Sequence, residues 1–225
     1  MTSPLSIVVP VLNEAGGIEA TLQSLAPLRA RGAELIVADG GSTDGTLPLA
    51  QALADQVLSA PRGRARQMNA GAAAASGSLL LFLHADTQLP PDADGLVQRA
   101  LAGGAHWGRF DVRIQGRPWM LRVVAGLMNW RSRWSGIATG DQALFMTRAA
   151  FEAVGGFPDQ PLMEDIEVCK RLRALGPPAC LRQKVLTSGR RWESRGVWRT
   201  IFLMWRLRWR YWRGESAQSI AEAYR

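Results

Sequence analysis

The sequence predicts an α/β fold: a mostly parallel sheet with helices on both faces, in a single domain that ends in C-terminal amphipathic helices. Three observations carry this expectation. Short apolar runs alternate with helical patterns through the first hundred residues, as parallel strands joined by crossover helices do. The composition, 47% apolar, 20% charged and 8% aromatic, is that of an ordinary globular protein and excludes disordered, collagen-like and disulfide-scaffold classes. The length of 225 residues favours one domain over two, with no internal repeat and no stretch of the roughly 18 apolar residues a membrane span needs.

In order, 5–11 (LSIVVPV) reads as a buried strand, 17–30 as a helix and 34–39 as a second strand. The GGSTDGT loop leads into a helix at 47–54, followed by a short strand at 56–59, an Ala-rich helix at 65–75 and a fourth strand at 78–84. Beyond residue 103 come longer strands at 108–114 and 143–147, Trp-rich helical stretches and a strongly periodic helix at 164–175. The aromatics between 119 and 134 read as core or rim. Cys169 and Cys180, far from any CxxC spacing, read as small buried apolar residues in a reduced compartment. The N-terminus lacks a basic region and a long apolar run, so a cytoplasmic protein is expected.

In such sheets ligands sit outside the carboxyl ends of the strands. Three strand ends carry polar clusters: Asn13 and Glu14, Asp39 with the GGSTDG loop, and His84-Ala85-Asp86. They are expected to meet in one crevice. Asp86 follows a buried strand and is either a helix cap or a ligand, since a carboxylate there must be solvated, paired or metal-bound. With His84 two residues earlier and Asp39 ending a neighbouring strand, a hard cation bridging a diphosphate suits it, Mg²⁺ or Mn²⁺. Neither a P-loop nor GxGxxG is present, which counts against ATP hydrolysis and nicotinamide chemistry. Arg62, Arg64 and Arg66 stand at a helix start, where they either hold a diphosphate or form a solvated basic face. Glu164, Asp165 and Glu167 open another helix. Acids there commonly serve only the dipole, but with no serine or cysteine nucleophile signature Asp165 is the candidate general base, beside Glu164.

VPVLNE (9–14), ADGGSTDGT (38–46), GRARQMNAG (63–71), FLHADT (82–87), GDQALFMTR (140–148), GGFPD (155–159) and MEDIEVCKRL (163–172) resemble, in order and spacing, the family 2 glycosyltransferases. Short bacterial members carrying FLHADT and a later GRRW look most similar, and some of that group are associated with arsenosugar biosynthesis. The resemblance implies a GT-A (Rossmann-like) fold and inverting transfer of a sugar from a UDP- or GDP-linked donor to an acceptor hydroxyl or phosphate. It places Pro10, Asn13, Glu14 and Ser42 at the nucleotide, Asp39 at the base, Asp86 at the diphosphate and metal, and Asp165 at the acceptor hydroxyl. Arg64 and Arg66 would face the diphosphate, and Arg190, Arg191 and Trp192 would close over it. His84 stands where the family's DxD motif has its first aspartate, and Gly40 where a second acid follows Asp39. On this reading 1–103 is the nucleotide-sugar half, 104–192 the acceptor half and 193–225 a basic tail.

The net charge of +8 belongs to the C-terminal 182–225: residues 1–181 hold 16 basic and 16 acidic side chains, residues 182–225 hold 11 and 3. A nucleic-acid partner for the main domain is therefore not expected. On a helix at 197–213, Trp198, Ile201, Phe202, Trp205, Trp209 and Trp212 form one strip beside Arg199, Arg206, Arg210 and Arg213. Leu203, Leu207 and Tyr211 form another strip opposite. Tryptophan beside arginine suits a membrane interface, making the protein peripheral on the inner face, and it equally suits packing on the domain. Two rival functions stand beside the transferase. A sugar-1-phosphate nucleotidyltransferase would need a basic Gly-rich loop near the first strand, where VPVLNEAGG has none, and the other rival is a non-enzymatic basic module binding membrane or nucleic acid.

Overall fold

A computed structural model describes residues 5–224. Its strands are β1 (Leu5–Val11), β2 (Glu34–Asp39), β3 (Gln56–Ser59), β4 (Leu79–Phe82), β5 (Thr87–Gln88), β6 (Trp107–Gln115), β7 (Leu144–Thr147) and β8 (Ala179–Ser188). They form one sheet in the order β3-β2-β1-β4-β7-β6-β8-β5. Four of the seven pairings are parallel, including the whole β3-β2-β1-β4 half. The helices are α1 (Ile18–Ser24), α2 (Ala26–Ala30), α3 (Thr46–Leu53), α4 (Arg64–Ala74), α5 (Ala93–Ala102), α6 (Met120–Ser135), α7 (Arg148–Ala153), α8 (Glu164–Leu172), α9 (Arg190–Arg195), α10 (Val197–Trp212) and α11 (Ala217–Tyr224).

Alternation along the strands feeds two cores. Ile7, Val9, Leu35 and Val37 pack with Ile18, Leu22, Ala50, Val97 and Val124 on the face covered by α1–α3, α5 and α6. Val8, Ile36, Leu80 and Phe82 pack with Met68, Ala72, Val168 and Leu172 on the face covered by α4, α7 and α8. Burial on both faces is why these strands read as continuous apolar runs.

The boundaries depart from expectation in instructive places. The helix expected over 17–30 is two, because Pro27 lacks an N–H and its ring cannot follow the preceding turn, so the chain breaks at Leu25. Helix α8 ends at Leu172 rather than 175. Strand β8 was not expected, since Arg182, Gln183 and Lys184 are exposed and break its pattern. It gains its place from an eight-pair parallel ladder with β6, interrupted by a register shift at Phe110/Asp111. Both cysteines are free, Cys169 buried and Cys180 half-buried.

The tail packs and exposes at once. Leu207 is fully buried with Met163, Ile166 and Ile220, and Leu203 and Tyr211 pack against them, while Trp198, Phe202, Trp205, Trp209 and Trp212 are 58–80% exposed. The aromatics in and just before α6, expected as core or rim, point outward too: Trp119, Trp130 and Trp134 are 66–82% exposed, and the last two stack on each other at 6.3 Å. No helix among the described residues is long and apolar enough to cross a membrane.

Candidate active site

The parallel register aligns the carboxyl ends of β1, β2 and β4, and the chain reverses its direction across the sheet between β1 and β4, the switch point where such folds bind ligands. Gln67 of α4 is 4% exposed and donates to the carbonyls of Val11 and Ala38 at 2.6 and 2.9 Å, clamping the ends of β1 and β2. Sequence reading missed it, although a glutamine in an Ala-rich buried face is itself a signal that a polar partner waits inside.

The loop after β2 is held from both sides. Asp39, 1% exposed at the end of β2, accepts from the backbone N–H groups of Gly41 and Ser42 and from the Ser42 hydroxyl. Ser42 Oγ in turn accepts the Asn13 N–H at 2.9 Å, and Asn13 Oδ1 accepts the Thr43 N–H at 2.9 Å. Asn13 takes a left-handed backbone, φ 55°, to make this bridge. Pro10 is half-buried in β1 opposite Ala38. Glu14 is approached by Arg190 Nη2 at 3.4 Å, so the GRRW segment does reach the end of β1. Arg191 lies 5.4 Å over the ring of Tyr224, and Trp192 packs against the larger core.

A second group of residues forms around the 3₁₀ turn Gly140–Gln142. His84 Nδ1 lies 3.2 Å from Asp141 Oδ1, and the Gly140 N–H donates to Asp165 Oδ2 at 3.1 Å. Only a glycine permits this, since a Cβ at residue 140 would stand 2.2 Å from His84 Nε2. Glu164, 3% exposed, meets Arg64 Nη1 at 3.4 Å. Gln142 anchors the turn from beneath by donating to Ser132 Oγ of α6 at 3.0 Å. The other two non-glycine residues with positive φ among those described, Ala143 and Met163, flank this turn and the start of α8. Conformations of that kind cost about 1–3 kcal/mol each and collect where the surrounding structure imposes a geometry.

The electrostatics separate the acids. Burial and the neighbouring Glu164 push the Asp165 carboxyl up to about 6, against the pull of the Gly140 and Ile166 N–H groups and Arg64. Burial also opposes ionisation of Asp141, but the His84 hydrogen bond and charge, with Arg64 and Arg191, outweigh it and hold that carboxyl below the usual range. Arg64, its side chain 46% exposed, sits among Glu164, Asp141 and Asp165, whose charges raise its affinity for the proton against the desolvation around it, and Tyr224 lies within electrostatic range of it.

Two of the expected site residues are engaged by acidic side chains of the protein. His84 Nδ1 lies against Asp141, while Nε2 is buried beside Gly140 without a hydrogen-bond partner among the described residues. Arg66 is not brought to the crevice, because its guanidinium forms a two-pronged pair with Asp159 at 2.7 and 2.9 Å. Asp86 remains half-buried at the end of the strand, its carboxylate approached among the described residues by the Thr87 hydroxyl at 3.4 Å and its backbone carbonyl accepting the Ser188 N–H. Among the described residues no three His, Cys, Asp or Glu side chains could enclose a metal. A hard cation shared with a diphosphate needs only one or two carboxylates, and Asp86 fits that role. Asp141 was missed as a site residue, although it stands inside the GDQALFMTR segment and its T-x-x-Q setting, Thr139 to Gln142, marks a helical start.

The family model described as glycosyl transferase family 2 matches residues 6–152. A PGL/p-HBAD biosynthesis glycosyltransferase of Mycobacterium bovis is 34% identical over 165 residues, covering 68% of this chain and 59% of its own. The succinoglycan biosynthesis protein ExoA of Rhizobium meliloti is 33% identical over 191 residues, covering 76% and 58%. The chain thus spans less than two thirds of the length of these relatives. Among solved structures, a mannosyltransferase of Pyrobaculum calidifontis in complex with GDP-Man and Mn²⁺ superposes with a TM-score of 0.65 at 23% identity, over 83% of this chain and 57% of that one. S. aureus TarS in complex with UDP-GlcNAc gives 0.66 at 18% identity, over 84% and 58%. At such identities the likeness establishes the GT-A fold.

Proposed function

The chain belongs to glycosyl transferase family 2, and on that premise we propose that it moves a sugar, with inversion, from a UDP- or GDP-linked donor to an acceptor hydroxyl. What supports this reading is a path of two contacts: Asp165 to the Gly140 N–H, and Asp141 of the same turn to His84, two residues before Asp86. A base and a diphosphate-holding carboxylate then share one crevice.

Asp165 takes the acceptor hydroxyl proton as the oxygen bonds to the anomeric carbon. The bond from that carbon to the diphosphate breaks on the opposite face, and its electron pair leaves with the nucleoside diphosphate. A carboxyl that titrates near 6 is ionised at neutral pH yet close enough to it for efficient proton transfer. Asp86 would hold a divalent cation, Mg²⁺ or Mn²⁺, whose chemistry is to neutralise charge on the leaving diphosphate. Arg64 and Arg190 add positive charge at the same crevice. Pro10, Asn13, Glu14 and the Asp39–Ser42 loop form the nucleotide wall, and 1–192 is the catalytic unit.

The same reading seats the protein on an anionic bilayer through 197–213, joined by α6. Both helices expose tryptophans and carry arginines without any acid, the pattern of interfacial helices. Thermal-shift measurements with UDP, GDP, CDP and dTDP sugars, with and without Mn²⁺, test the donor. A Mn²⁺-dependent rise in Tm for one nucleotide sugar is expected, and no rise with any of them would overturn the reading.

A further inference from the structure

Between α9, α10 and α11 lies a groove of about 680 Å³ whose lining combines Arg195, Arg199 and Arg206 with Phe202, Leu203 and Tyr224. No acidic residue lines it, and Arg199 and Arg206 form no ion pair among the described residues. Arg195 donates to the Tyr224 carbonyl at 3.4 Å, and Arg199 and Arg206 are lining guanidinium groups left without a carboxylate among the described residues. Unclaimed guanidinium groups on one wall match the oxygen fork of a phosphate, which they bind bidentately and at a lower dehydration cost than lysine.

The lining has an apolar half as well. Phe202 belongs both to the groove and to the exposed strip that continues through Trp198, Trp205 and Trp209. A bare phosphate would use only the arginines, whereas a phosphate ester with an apolar chain would use both halves. Tyr224 joins the groove to the carboxylate crevice: it lines the groove, and its ring lies 5.4 Å from Arg191 and 5.6 Å from Arg195, the former a charge that reaches Asp141.

We infer that this groove seats the phosphate of a membrane lipid, with Arg195, Arg199 and Arg206 on the phosphate and Phe202 and Leu203 along the chain, and that such a lipid carries the acceptor. The phosphate is the anchor, and a hydroxyl of the same headgroup faces Asp165. Only the acceptor role rests on the transferase reading; binding of the lipid does not.

The test uses the full chain and calorimetric titration with dihexanoyl phosphatidylglycerol below its micellar concentration, beside glycerol phosphate and dihexanoyl phosphatidylcholine. The anionic lipid is expected to bind at least tenfold more tightly than either control. Arg199→Gln with Arg206→Gln is expected to weaken it at least tenfold, with an unchanged Tm and an unchanged Mn²⁺-dependent shift by the nucleotide sugar. Phe202→Ala, exposed and safe for folding, is expected to weaken the lipid while sparing glycerol phosphate. Equal affinity in wild type and the double variant would overturn the proposal, as would glycerol phosphate binding as tightly as the lipid. Arginine-dependent lipid binding in a protein that no nucleotide sugar stabilises would uphold the groove and overturn the transferase reading.

Discussion

The N-terminal half of the sheet and the C-terminal arm are built on opposite terms. In residues 5–103 the strands are buried on both faces, and the polar groups that emerge at their ends are tied into short loops by hydrogen bonds. In the arm, α9–α11 bury only Thr200, Leu207 and Ile220 fully, and arginines and tryptophans project outward. The first arrangement holds polar groups in place at the strand ends, as seating a ligand requires. The second holds an element in place through a narrow apolar strip and leaves its remaining surface for something outside the molecule, which buried-area arithmetic alone would treat as a defect.

The sharpest way to break this contrast is at Asp165. Asp165→Asn is expected to lower turnover about 10²–10⁴-fold, the usual scale for a lost general base, while the nucleotide sugar still raises Tm. An equal loss of donor binding would mean that the residue shapes the donor pocket instead. At Asp86 the division is reversed: Asp86→Ala should abolish the Mn²⁺-dependent shift by the donor, and an unchanged shift would refute its assignment.

Leu207→Ala probes the arm. Removing the one fully buried leucine of α10 should cost about 2–5 kcal/mol in urea unfolding followed by fluorescence. A cost under about 0.5 kcal/mol, the surface value, would show that α10 is not docked through this strip.

The pH profile sharpens the catalytic side. Because the Asp165 carboxyl is raised to about 6, the base is lost as pH falls through that value, and kcat/KM should drop about tenfold per unit below it. The stability effect has the opposite sense. A carboxyl that binds its proton more tightly folded than unfolded disfavours the native state once pH rises through its folded value, so Asp165→Asn should raise Tm at pH 8 and change it little at pH 4. The smallest expected effect on folding is at the aromatic strip. Trp205→Ala with Trp209→Ala should move stability by under about 0.5 kcal/mol per site, yet reduce co-sedimentation with anionic liposomes at low salt. Wild-type protein that fails to sediment would remove the membrane contact altogether.

Much of the N-terminal half was legible because its signals are local. The runs at β1 and β2 and the Gly-rich loop announce themselves in a few residues, and strand ends in a parallel sheet have only one place to put polar side chains. Asp141 and Gln67 were harder, since each matters through a partner 57 or 29 residues away. Strand β8 was illegible for a related reason: its polar middle is acceptable only because β6 supplies the ladder.

The sequence by itself determined the layered α/β architecture, the polar strand ends and the confinement of excess charge to residues 182–225, because periodicity and composition act within a few residues along the chain. The tertiary structure alone decided that His84 turns toward Asp141, that Arg66 goes to Asp159 while Arg64 joins the acids, and which strip of α10 meets the core. Each of those outcomes is a competition among partners distant in sequence, and only folding determines which of them come within hydrogen-bonding distance.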